Sequence, residues 1–172
     1  DSANKFYLER VSRKCYLPTN KLLLNLIEKY GEEFKFCFSI TGVFLDQLQK
    51  DFPEVVESFQ KLVDTGNVEL FDETYYHSLA YLISKKEFIH QVKMHSKKFK
   101  EVFGVKPKIF RNTEAMYSND IAKTVSEMHF KGIIAEGLSN VLGWRSPNFI
   151  YKAKDAKIKV LLRNYKLSDD IA

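Results

Sequence analysis

Two apolar periods take turns along this chain, and their alternation limits its fold more than any other feature. From Pro18 to Tyr30, residues Leu22, Leu23, Leu26 and Ile27 fall on one helix face, and Gly31 stops the helix. Phe34 to Ile40 then alternates as an aromatic-rich strand. Thr41-Gly42 breaks it, and Val43 to Gln49 predicts a short helix. Pro53 opens another helix, with Val55, Val56, Phe59, Leu62 and Val63 inward and Gly66 past its end. Asn67 to Phe71 predicts a strand, and Lys85 to Phe103 a long amphipathic helix ending at Gly104. Lys108 to Arg111 is the next strand, and Ser118 caps a helix running through Met128. Lys131 to Ala135 and Ile158 to Arg163 are the last strands.

This order predicts one α/β domain with a largely parallel sheet built from right-handed crossovers. Parallel strands form an open sheet or a barrel, and periodicity leaves both open. The chain shows no internal repeat, low-complexity tract or interdomain linker. Its longest irregular stretch, Gly137 to Asp155, holds Trp144 beside Arg145-Ser146-Pro147, and long loops in compact domains tend to be functional.

The 172 residues, with 45% hydrophobic and 28% charged, suit a single globular domain with a sizeable core. No apolar run reaches the ~18 residues of a transmembrane helix, and the opening residues Asp1-Ser2-Ala3-Asn4-Lys5 lack an apolar signal core. The net charge of +5 comes from lysines scattered among acids on helix faces. That is the pattern of a solvated surface, and no aromatic-basic strand motif points to nucleic acid. Cys15 and Cys37 lie in apolar segments and are expected as buried free thiols, consistent with a reducing, cytoplasmic setting.

Parallel α/β folds collect their sites where the strands end at the carboxyl side. Glu69, Asp72, Glu73 and His77 follow Val68; Arg111, Asn112 and Glu114 follow Phe110; Glu136 follows Ile134; and Arg163, Asn164, Asp169 and Asp170 follow Leu162. Four strand ends thus deliver carboxylates without a metal-ligand motif. The pattern suits acid/base work on a neutral, polyhydroxylated substrate, and two carboxyl groups about 5–5.5 Å apart would serve retaining glycosyl transfer. Tyr75, Tyr76, Tyr117 and Trp144 would stack on sugar faces. A single Glu after a strand is more often a solvated loop residue, and Glu114 also lies near a helix start, where the dipole favours an acid.

Longer motifs add to this pattern. Gly66-Asn67-Val68-Glu69-Leu70, followed by Tyr75-Tyr76-His77, resembles the second signature region of glycoside hydrolase family 57. Phe110-Arg111-Asn112-Thr113-Glu114 resembles the family's third region, whose final Glu is the nucleophile. Leu162-Arg163-Asn164-Tyr165-Lys166-Leu167-Ser168-Asp169-Asp170-Ile171 resembles the fourth, which carries the acid/base Asp. Cys15 to Leu23 is similar to a helix of the α-amylase-like members. The resemblance implies a retaining enzyme on α-glucans or maltooligosaccharides (α-amylase, 4-α-glucanotransferase, branching enzyme or amylopullulanase) that needs no metal or cofactor for catalysis. It implies an α/β fold of the incomplete (β/α)7-type barrel kind, with parallel strands inside surrounding helices. This chain would form part of that barrel, because the first region, a strand with His-Gln-Pro, is absent and only Ile171 and Ala172 follow Asp170.

By motif match Glu114 takes the nucleophile role and Asp170 the acid/base role, with Asp169 as the one-residue alternative. Glu69 would bind substrate near the reacting sugar, and His77, Glu136 and Trp144 would line the site. Many members carry Trp where this chain has Arg111, so one stacking surface is lost; Arg111 would instead hold Glu114 ionised and oriented. Two rival readings remain. A metal-dependent polysaccharide deacetylase would need a His-x-x-x-His pair, whereas His90 and His95 are five apart on a helix. A homologue that binds glucan without cleaving it is the other. The sequence leaves open hydrolysis versus transglycosylation and the oligomeric state.

Overall fold

A computed structural model describes residues 2–171. Of the polar opening run, Asp1 lies outside the described residues and the rest begins helix α1, Ser2–Val11, which the apolar pattern does not announce. A π-helical turn, Ser12–Tyr16, joins it to α2, Leu17–Tyr30. Gly31 ends α2 with φ 55°, a left-handed value that glycine adopts at no steric cost. Strand β1 is Phe36–Ser39, followed by α3 (Gly42–Asp51), α4 (Pro53–Asp64) and β2 (Val68–Asp72). Next come α5 (Lys85–Phe103), β3 (Ile109–Arg111), α6 (Asn119–Glu127) and β4 (Gly132–Glu136). The stretch expected to be irregular holds a short helix α7, Ser139–Leu142, and a two-residue strand β5, Tyr151–Lys152. Strand β6 (Lys159–Arg163) and helix α8 (Tyr165–Ile171) complete the described residues.

Local chemistry explains the helix starts. Thr41, Ser84 and Ser118 each accept a hydrogen bond from the backbone N–H three residues on, as N-caps of α3, α5 and α6. Pro53 occupies the first turn of α4, where its missing N–H costs nothing. Gly42 has a different task. A Cβ there would lie 2.4 Å from the Tyr75 ring, so only glycine lets α3 start against the β2–α5 loop.

The six strands run in the order β1-β2-β3-β4-β6-β5, all parallel except the β5–β6 pair. The α/β class expected from the alternation is what forms. Period-two geometry gives the sheet two unlike faces. Phe38, Leu70, Phe110, Ile133 and Val160 point to one face and pack under the helices in two apolar clusters. Cys37, Ser39, Glu69, Phe71, Arg111 and Ile134 lie on the other, where each is exposed or half-buried.

Two expectations need correction. Leu22 is 56% exposed; the face of α2 that turns inward carries Asn20 and Ile27, and Asn20 donates to the Ser58 hydroxyl on α4 at 2.8 Å. Apolar spacing alone put the stripe about a quarter-turn off, because a polar residue with a partner shares the buried face. Cys15 and Cys37 are free thiols as expected, but both are exposed rather than buried. Cys37 alternates with the two buried-side phenylalanines of β1 and so lands on the uncovered face.

The helix layer is tied to the sheet by one polar cluster. His95 of α5 is fully buried, with Nδ1 2.7 Å from Asp72 Oδ1 at the end of β2 and Nε2 2.8 Å from the carbonyl of Ile40, just after β1. Ser96 donates to the second Asp72 oxygen, and the Glu73 backbone N–H donates to the first at 3.0 Å. Removing one partner of such a pair leaves the other buried and unsatisfied. The variant His95→Ala is therefore expected to lose about 3–5 kcal/mol of stability by chemical denaturation, far more than Ala substitution of the exposed His90.

Candidate active site

The carboxyl ends of β1, β2 and β3 carry a continuous line of polar side chains. Ser39, the last residue of β1, donates to Glu73 Oε1 at 2.7 Å. Glu73 follows β2 directly and is 1% exposed. Its other oxygen, Oε2, lies 2.8 Å from His77 Nδ1, and His77 Nε2 lies 3.4 Å from Glu114 Oε1. Glu114 itself is exposed, with 79% of its side chain accessible. The line runs from a buried acid through an imidazole to a solvent-facing acid.

Backbone geometry aims the last two members. Glu114 sits in a 3-10 turn, Thr113–Ala115, with φ 54° and ψ 26°, and Ala115 follows at φ 50°. Non-glycine residues rarely adopt this left-handed region, and such strain gathers at functional sites. His77 is also left-handed, at φ 52°. The two loops are fastened beside these residues. Thr113 donates its hydroxyl to the Ser78 carbonyl at 2.9 Å, and the Thr74 and Thr113 hydroxyls meet at 3.1 Å. The Ser78 N–H donates to Thr74 at 2.9 Å, and the Ser78 hydroxyl donates to Gln91 of α5 at 2.7 Å. Thr74 and Thr113 are buried, so both loops are held by satisfied polar groups rather than by solvent.

A second group lies at the ends of β4 and β6. Glu136 and Arg163 are register partners, joined at 2.9 Å, and the other Arg163 terminal nitrogen is 3.6 Å from Asp169. The hydrogen bond and charge of Glu136 raise the Arg163 pKa further above its ordinary value. A cavity of about 640 Å³ opens between the two groups, with Glu114, Tyr117, Glu136, Arg145 and Tyr151 on its wall. That volume is in the range of small-molecule sites.

Of the residues expected from sequence, the structure brings Glu114 and His77 into contact and places Glu114 and Glu136 on one cavity. Others fall elsewhere. Glu69 is the second residue of β2, on the uncovered sheet face beside Cys37. At about 3.3 Å per residue, it sits roughly 10 Å down the strand from Asp72, away from the strand-end cluster. Arg111 is half-buried on that same face and makes no ion pair with Glu114 among the described residues; His77 holds the position expected for it. Trp144 is 94% exposed after α7 and is not on the cavity wall. Asp170 is exposed on α8 without an ion pair or hydrogen bond among the described residues, whereas Asp169 is engaged by Arg163. Ser39 and Thr113 were not foreseen, and Glu73 was seen only as one strand-end acid among several. Its spacing of four residues from His77 was the available signal.

The model of glycosyl hydrolase family 57 matches residues 1–172. The chain belongs to this family. It is 52% identical over 169 residues to a candidate α-amylase of Methanocaldococcus jannaschii, covering 98% of this chain and 36% of that protein. It is 24% identical over 132 residues to an α-amylase of Pyrococcus horikoshii, covering 77% of this chain and 20% of that one. The chain thus spans about a third or less of the length of these relatives. Among solved structures, the 4-α-glucanotransferase of Thermococcus litoralis superposes with a TM-score of 0.81 at 18% identity, over 96% of this chain and 26% of that one. A candidate polysaccharide deacetylase of Mycobacterium smegmatis superposes at 0.69 with 16% identity, over 97% and 54%. Both likenesses speak for the fold alone. In this family 57 chain the deacetylase reading also meets a side-chain obstacle, because both ring nitrogens of His95 are already engaged in the core.

The strain at Glu114 gives a direct test of the geometry. Glycine has no Cβ penalty at φ 54°. Glu114→Gly is therefore expected to leave stability unchanged or raise it by about 1 kcal/mol, while Thr113→Val, one residue away, should lower it by about 1–3 kcal/mol; denaturant titration of both variants checks the pair.

Proposed function

We propose that the protein carrying this chain is a retaining glycoside hydrolase or transglycosylase acting on α-glucans, with Glu114 as nucleophile and Asp170 as acid/base. The observation that carries this reading is the placement of Glu114. It projects from a strained turn at a strand's carboxyl end, touches His77, and stands on the wall of a ligand-sized cavity. Membership of family 57 and the names of the relatives support the substrate class.

The chemistry proceeds in two displacements. Glu114 attacks the anomeric carbon of an α-linked glucose unit, and the bond to the leaving oxygen breaks as Asp170 gives that oxygen its proton. A glycosyl ester on Glu114 results. Asp170 then takes a proton from water or from a sugar hydroxyl, which attacks the same carbon and returns the electron pair to Glu114. Asp170 suits the proton-transfer role better than Asp169, whose carboxylate already lies against Arg163. Glu136, held by Arg163, supplies a hydrogen-bonding group to sugar hydroxyls at the cavity wall, and the Trp144 ring offers an exposed stacking surface away from that wall.

Glu114→Gln in the full-length protein is expected to lower turnover of maltooligosaccharides by about 10³-fold or more. Proton NMR of the wild-type reaction should show the α-anomer forming first. Wild-type turnover in Glu114→Gln, or initial release of the β-anomer, would overturn the assignment.

A further inference from the structure

We infer that His77, held in place by the buried Glu73, is a positioning residue that fixes which oxygen of Glu114 attacks the sugar. The inference rests on the reading of Glu114 as the nucleophile. Three observations carry it. The first is that Glu73 has no outlet except the line described above. It is 1% exposed, Ser39 occupies one oxygen at 2.7 Å, and His77 Nδ1 occupies the other at 2.8 Å. A buried carboxylate needs its lone pairs met by donors, and Ser39 alone meets only one oxygen. Nδ1–H therefore points at Glu73, and the ring plane is fixed by that bond.

The second is that the fixed ring turns Nε2 toward Glu114 Oε1, at 3.4 Å. The contact is close to hydrogen-bond length and would tighten when substrate narrows the site. The Nε2 contact falls on Oε1 and not on Oε2, which leaves Oε2 as the oxygen free to bond the anomeric carbon.

The third is that the loops bearing the two residues are locked together. The Thr113 hydroxyl, one residue before Glu114, donates to the carbonyl of Ser78, one residue after His77. Both His77 and Glu114 hold left-handed backbones. An exposed glutamate of this kind would otherwise sample several rotamers; the imidazole removes that freedom before substrate arrives. No other side chain makes an ion pair or hydrogen bond with the Glu114 carboxylate among the described residues.

The test compares two substitutions at His77 in the full-length protein. His77→Asn suits the left-handed backbone and places an amide where Nδ1 meets Glu73, but it does not reach Glu114. His77→Gln reaches Glu114 with its amide. On maltoheptaose, His77→Asn is expected to lower kcat by about 10- to 100-fold with KM within about twofold, and His77→Gln to recover a substantial part of the loss. His77→Asn should unfold at the wild-type denaturant midpoint or close to it, and His77→Gln, which leaves one Glu73 oxygen without its donor, below it. Wild-type kcat in His77→Asn overturns the inference, as does an equal loss in the two variants. Glu114→Ala with sodium azide tests the underlying reading separately. Rescue that yields β-glucosyl azide supports Glu114 as nucleophile whatever His77 does, whereas full turnover of Glu114→Ala without azide removes both readings together.

Discussion

The contact between His95 and Asp72 is the constraint on which the rest of the structure hangs. It lies where α5 crosses the ends of β1 and β2, and it joins all three through the Ile40 carbonyl and the Asp72 carboxylate. Burying such a group is costly unless every polar atom finds a partner, and here Asp72 meets His95, Ser96 and the Glu73 N–H. That last bond connects the core to the candidate site. Because Asp72 holds the backbone of Glu73, it also sets where the Glu73 carboxylate points, then His77, then Glu114. A helix-to-sheet anchor with no solvent exposure thus sits one residue from the line of groups that ends at the exposed Glu114.

Much of the fold was legible in the sequence because burial leaves a period. Helices α4, α5 and α6 and strands β2, β3, β4 and β6 all match runs whose apolar spacing or punctuation marks them. Helix α1 was not, since its mixed polar sequence buries little beyond Leu8. Strand β5 was not either, being two residues that pair only with β6.

The site was legible at the level of residue types and blurred at the level of position. A strand-end rule points to the region but not to the end of the strand: Glu69 and Glu73 are four residues apart in one segment, and only Glu73 reaches the cluster. Likewise Arg111 is nearer to Glu114 in sequence, but its side chain follows the sheet's pleat, whereas His77 arrives from a neighbouring loop. Contacts of this kind depend on left-handed turns at residues 77 and 114 that side-chain identity does not disclose.

The two faces of the sheet carry a consequence for handling the protein. Parallel sheets are usually covered on both sides, yet Phe71 and Ile134 are only half-buried here, and Cys37 is exposed on the same face at edge strand β1. A 172-residue polypeptide would expose on this face half-buried apolar side chains, the edge of β1 and an oxidisable sulfur. Cys15 is a second exposed free thiol, so purification without reductant would leave two sulfurs open to oxidation. Keeping a thiol present, or replacing both cysteines with serine, removes that chemistry from the uncovered face of the sheet.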